Sequence, residues 1–226
     1  MKADIQILEF LRDLMVNNNR EWFKANKERY DAAHAAFIEL ASHFIDVVST
    51  IDPTIGHPDV KNCVYRIYRD VRFSADKSPY KRHMALFVTP TGRNGNLPGY
   101  YFHVEPGQSF FGGGHYCFSS DELKRVRSEI CNFPDDISAA VSSITNYHHG
   151  ELWGEKLKRL PAGFEARKDV EPILLHKTLC SSFTFSDDEI FGGDIDEIFT
   201  NAVSASKPLV QFINRAITAP DETVDF

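Results

Sequence analysis

The chain has 226 residues, of which 42% are hydrophobic and 25% charged, enough to bury a sizeable core in one large domain or two small ones. Its formal net charge of −7 argues against broad, sequence-independent binding to duplex DNA or to an anionic membrane, since both need extended positive surface.

The first fifty residues read as helix. Asp4 is placed to cap a short helix with Ile7, Leu8, Leu11, Leu14 and Met15 at helical spacing. Asn17-Asn18-Asn19 breaks it, and Asn19 is an N-cap for a longer helix from 19 to 51. The apolar stripe of that helix includes Trp22, Phe23, Tyr30, Ala33, Phe37, Leu40, Phe44 and Val48, and Asp52-Pro53 stops it. From Cys63 to about Tyr116 the period becomes two. Strands are expected at Cys63–Arg69, His83–Thr89, Tyr100–Glu105 and Ser109–Phe111, joined by short turns such as Thr91-Gly92, Asn94-Gly95 and Pro106-Gly107. That makes an antiparallel meander.

Helix returns after Gly112-Gly113-Gly114. Ser119-x-x-Glu122 is a capping box for Leu123 to Cys131, and a further helix starts near Pro134-Asp135. Glu171 to His176 reads as a short helix and Ser182 to Phe185 as a strand. Asp194 caps a closing helix that Pro208 restarts or bends, and order ends at Pro220. The expected fold is α+β: a single domain, residues 1–226 with an ordered core of about 5–218, in which an antiparallel β-meander packs against long N- and C-terminal helices.

Cys63, Cys117, Cys131 and Cys180 are widely spaced and read as reduced and inert. Asp4, Glu9, Arg12 and Asp13 interrupt any leading apolar run, and 18 apolar residues never occur in succession. No signal peptide and no membrane contact are therefore expected, and the location is read as cytoplasmic.

Asn18-Asn19-Arg20-Glu21-Trp22-Phe23, Asn26-Lys27 with Tyr30, Arg66-Ile67-Tyr68-Arg69-Asp70-Val71-Arg72-Phe73-Ser74, Asp76-Lys77-Ser78-Pro79-Tyr80-Lys81, Pro98-Gly99-Tyr100-Tyr101 and Gly112-Gly113-Gly114 form a long ordered set. Through them the chain, over about residues 5 to 217, resembles a widespread family of conserved hypothetical proteins of bacteria, fungi and plants, a domain of unknown function. The resemblance brings no activity, cofactor or catalytic residue.

The densest chemistry lies in residues 65–82, where Arg66, Arg69, Arg72, Lys77, Lys81 and Arg82 stand against Asp70 and Asp76. On a strand, Arg66, Tyr68 and Asp70 would share one face, and Tyr101, His103 and Glu105 the polar face of a later strand. Two readings follow. Arg66, Tyr68, Arg69, Arg72, Lys77, Lys81, Tyr101 and His103 hold a small phosphate- or carboxylate-bearing ligand. Alternatively Arg66, Arg69 and Arg72 tie Asp70, Asp76 and Glu21 into a structural salt-bridge network. If chemistry occurs, His103 and Glu105 are the candidate acid–base pair. A further possibility is an interaction module in which the arginines dock an acidic protein or single-stranded nucleic acid while Tyr65, Tyr68 and Tyr80 stack or pack, though the acidic remainder disfavours nucleic acid.

Gly112-Gly113-Gly114 lacks the phosphate-loop Lys-Ser/Thr and equally serves a sharp turn or a close backbone approach. His103-x-Glu105 with His115 has a metal-like inventory, but chance clustering among nine histidines accounts for it, so no metal site is expected. No cofactor, reaction type or oligomeric state is legible.

Overall fold

The computed structural model describes residues 2–164 and 167–219. Its helices open where short polar side chains satisfy free amides. Asp4 accepts a bond from the Gln6 N–H at 2.9 Å and opens α1 (Ile5–Val16). Asn19 accepts from the Trp22 N–H at 2.9 Å and opens α2 (Arg20–Ala25). The single helix expected from 19 to 51 is broken at Asn26, whose side-chain amide donates back to the Trp22 carbonyl at 3.0 Å. The long helix α3 then runs Lys27–Ile51 and ends at Asp52, as the sequence implies.

The strand expected at Cys63–Arg69 is not formed. Asp59 accepts from the Lys61 N–H and caps a short helix, α4 (Val60–Cys63). Residues 64–69 then run beside the next strand through two isolated antiparallel bridges, Val64 to Leu86 and Tyr68 to Tyr80. Three residues lie between the bridges on one side and five on the other, so the chain bulges near Arg82 and His83 and no continuous ladder forms.

The later strands follow the meander: β1 (Met84–Val88), β2 (Gly99–Val104) and β3 (Ser109–His115). After them come α5 (Ser120–Asn132), α6 (Pro134–Thr145), β4 (Glu151–Trp153), α7 (Glu171–Leu174), β5 (Leu179–Phe185), α8 (Asp187–Gly192) and α9 (Ile195–Thr218). One sheet has the order β1-β2-β3-β5-β4, and the β1–β2 and β4–β5 pairs are antiparallel. The fold is therefore α+β, built on an antiparallel sheet. β4 and α8 were not expected, and Pro208 lies inside α9 without ending it. The expected loss of order at Pro220 lies outside the described residues. Among the described residues no helix is long and apolar enough to cross a membrane.

By contact, the described residues group into two compact units. One is formed by the described residues within Met1–Gly95, Tyr100–Phe111 and Thr184–Val203, the other by those within Asn96–Gly99, Gly112–Phe183 and Ser204–Phe226. In the first, Phe37, Phe44 and Val48 of α3 are fully buried, as are Tyr100, Phe102 and Val104 of β2. The Phe44 ring lies 5.9 Å from Phe102 and 4.8 Å from Phe199. Asp52, at the end of α3, accepts from the Tyr100 hydroxyl at 2.7 Å, tying the helix end to the strand. Trp22, expected in the core, is only half-buried. Its neighbour Phe23 is the buried ring and stacks on Tyr80 at 4.0 Å.

In the second unit, Ser119 and Glu122 form the expected capping box of α5. Gly112, Gly113 and Gly114 lie within β3 rather than in a loop after it. A Cβ on Gly113 would sit 2.6 Å from the Ser206 Cβ, and one on Gly114, at φ 140°, would sit 2.1 Å from the Leu179 carbonyl oxygen. Close approach of the Ser206 side chain and of the Leu179 backbone is why glycine stands at these two positions.

Candidate functional site

The polar face of β2 in the first unit is a chain of hydrogen bonds. Alternation buries Tyr100, Phe102 and Val104 on one side and turns Tyr101, His103 and Glu105 to the other. His103 Nδ1 lies 3.0 Å from the Tyr101 hydroxyl and Nε2 lies 3.0 Å from Glu105 Oε2. A carboxylate only accepts, so Nε2 carries the proton and Nδ1 of the neutral ring accepts from Tyr101.

Neighbouring elements complete this face. The register sets Ala85 opposite His103 and Phe87 opposite Tyr101. Continued by one residue, it sets His83 opposite Glu105. The His83 and His103 rings are 4.1 Å apart, and His83 Nδ1 is 3.8 Å from Glu105 Oε2. Phe110 of β3 stacks on His103 at 4.7 Å. The Tyr65 N–H donates to the Ala85 carbonyl, the Lys81 N–H to the Ile67 carbonyl, and the Lys81 ammonium lies 5.1 Å from the centre of the Tyr65 ring.

Burial sets the charge states. It lowers the pKa of both His83 and His103 from 6.5 to about 4, with Lys81 adding to the effect on each. It pushes the Tyr101 hydroxyl well above its ordinary range and holds the Lys81 ammonium below its own, with Arg66 and Arg93 lowering it further. At neutral pH the face therefore carries two neutral imidazoles, with the Lys81 cation and the Glu105 carboxylate beside them.

The basic island divides in two. Arg69 pairs with Asp76 at 2.5 Å and donates to the Ser78 carbonyl. Arg72 holds Asp70 through Nε at 2.9 Å and a terminal nitrogen at 2.6 Å, and Lys77 donates to the Val71 carbonyl at 3.0 Å. Asp76 is held well below the usual carboxylate range by bonds from Ser78 and then by Arg69. Glu21 forms no ion pair among the described residues.

Arg66 and Lys81 differ. Among the described residues neither has a carboxylate within ion-pair distance. Arg93, not singled out in the sequence, donates to the Lys61 carbonyl at 2.9 Å and also acts electrostatically on Lys81. Tyr68 is half-exposed, whereas Tyr80 is buried against Phe23 and offers no stacking surface. His115 packs on Phe118 in the second unit, and His83 is the third member of the imidazole–carboxylate cluster.

The structure thus brings Tyr101, His103 and Glu105 together with Lys81, and adds His83, Tyr65 and Phe110. Arg69, Arg72 and Lys77 are engaged within their own loop. Two clefts have other linings. One of about 290 Å³ is bounded by Glu9, Phe10, Glu28 and Arg29, and one of about 340 Å³ by Lys156, Lys168, Glu171 and Leu175.

An α+β fold with a hydrogen-bonded Tyr-His-Glu ladder on one strand face is the class of protein these features define. The chain belongs to the conserved hypothetical protein family DUF2461, whose family model matches residues 6–212. No curated protein and no solved structure matches it.

Proposed function

We propose that the protein binds a small phosphate- or carboxylate-bearing ligand on the face of β1 and β2, held by Lys81 and Arg66 and flanked by Tyr65, Tyr101 and His103. One observation carries this reading: Arg66 and Arg93 both act on Lys81 as like charges, and Lys81 has no carboxylate within ion-pair distance among the described residues. A half-buried ammonium beside further cations is costly unless an anion joins it. Charge-assisted bonds to phosphate or carboxylate supply that partner. If a reaction follows binding, the His103–Glu105 pair is positioned for proton transfer.

A second reading draws on the other half of the island. Phe73 is 96% exposed and the Arg72 guanidinium lies 5.9 Å from its ring centre, a pairing suited to docking an acidic protein segment.

Thermal unfolding with inorganic phosphate or citrate separates the two. An anion at 100 times its Kd stabilises by about 2.7 kcal/mol, which raises the melting temperature by roughly 5–10 °C for a chain of this size. The shift should vanish in Lys81→Met and weaken in Arg66→Ala, and persist in Arg72→Ala. No shift with any anion, or equal loss in Arg72→Ala, rejects the strand-face site.

A further inference from the structure

We propose that His83, His103 and Glu105 bind a divalent first-row transition-metal ion. The inference goes beyond the anion site, because it is tested with metal alone.

The donor atoms of the three side chains all lie within 4.8 Å of one another. Tetrahedral bonds of about 2.0–2.1 Å put neighbouring ligand atoms roughly 3.3 Å apart. Two of the three separations are already near that value, His103 Nε2 to Glu105 Oε2 at 3.0 Å and His83 Nδ1 to Glu105 Oε2 at 3.8 Å. The third, between the two imidazoles, is within 4.8 Å. Two imidazoles and one carboxylate suit zinc, iron, cobalt or nickel, whereas magnesium and calcium take oxygen ligands.

The support around the trio is also what a metal needs. His103 stands on β2, Glu105 follows the last residue of β2 and His83 precedes the first residue of β1, so two paired strands fix their separation. The Tyr101 hydroxyl meets His103 Nδ1, the contact that orients a ligating imidazole. On metal binding the His103 proton moves to Nδ1, which then donates to the tyrosine oxygen. Phe110 covers the His103 ring, and the three ligand side chains are 27%, 9% and 19% exposed, so the trio is shielded yet reachable. Three protein ligands leave a fourth position open to water or an anion. Lys81, whose charge acts on both imidazoles, opposes a bare cation and favours an anion as that fourth ligand.

The test uses the untagged full chain, stripped with a chelator and titrated with Zn²⁺ by calorimetry and by imidazole NMR. One equivalent should bind saturably, and the ring resonances of His83 and His103 should shift while those of the exposed His57 stay in place. Loss of an outer-shell partner alone typically weakens a metal site 10–100-fold. His83→Ala and Glu105→Gln should therefore weaken binding by at least 100-fold, and Tyr101→Phe by about 10-fold. No saturable binding, unmoved His83 and His103 resonances in the unaltered chain, or undiminished affinity in both ligand variants overturns the proposal. The resonance test holds even where a variant fails to fold.

Discussion

The two halves of the basic island differ in what neutralises them. In the loop half, Arg69 has Asp76, Arg72 has Asp70, and the Lys77 ammonium sits on a backbone carbonyl. In the strand half, Arg66 and Lys81 have no carboxylate within ion-pair distance among the described residues, although Arg66 acts on Asp70 from farther off, and Arg93 adds a third positive charge. The loop carboxylates lie close in sequence to their arginines, so local geometry pairs them. Lys81 is held by backbone bonding to Ile67, which orients it over Tyr65 and away from the loop acids. A count of charges in a segment therefore says little about a site, whereas the pattern of pairing says a good deal.

The largest expected effect falls on the support of the strand half. Phe23 stacks on Tyr80 at 4.0 Å, and Tyr80 bridges Tyr68. Phe23→Ala should cost about 3–5 kcal/mol in a urea titration. A loss below about 1 kcal/mol would show that this half is not anchored in the core.

Acid comes next. His83 and His103 have folded pKa values near 4 against an ordinary 6.5, so the unfolded chain binds more protons between those limits. Their contribution is present in full above pH 6.5 and is lost as pH falls toward 4. It is on the order of a few kcal/mol for the coupled pair. Urea midpoints taken from pH 7 to pH 4.5 should fall accordingly, and His83→Gln should flatten the slope. An unchanged slope in His83→Gln would mean that His83 is solvated.

Smaller effects sharpen the contrast. Lys81→Met should leave the anion-free melting temperature unchanged or slightly higher, because it removes a half-buried cation. A drop of several degrees would make Lys81 a structural residue. Arg72→Ala should alter neither melting temperature nor phosphate response, as expected for an exposed pair.

Much of this frame was legible in the sequence. Alternation placed Tyr101, His103 and Glu105 on one face of a strand, and the Asp4, Asn19 and Ser119 caps opened helices as their side-chain chemistry implies. What failed depended on competition or on distance along the chain. Residues 60–63 were taken into a helix by the Asp59 cap, against the β-rich run that follows. Asn26 interrupted a helix whose apolar stripe continues across it. The glycines of β3 answer to Ser206 and Leu179, which no local pattern reveals. His83 joined the site through strand register, and Arg93 lies where the turn after β1 returns to Lys61. A signal for α8 was present in Ser186-x-x-Glu189, the same capping box as in α5.

The central claim, that the unpaired strand half is the ligand site and the paired loop half is structural, is tested most directly by amide and side-chain NMR during a titration with inorganic phosphate. Saturable shifts at Tyr65, Arg66, Lys81, Tyr101 and His103, with residues 70–77 unmoved, are the expected result. Shifts centred on Arg69, Arg72 and Lys77, or none that saturate, would contradict it.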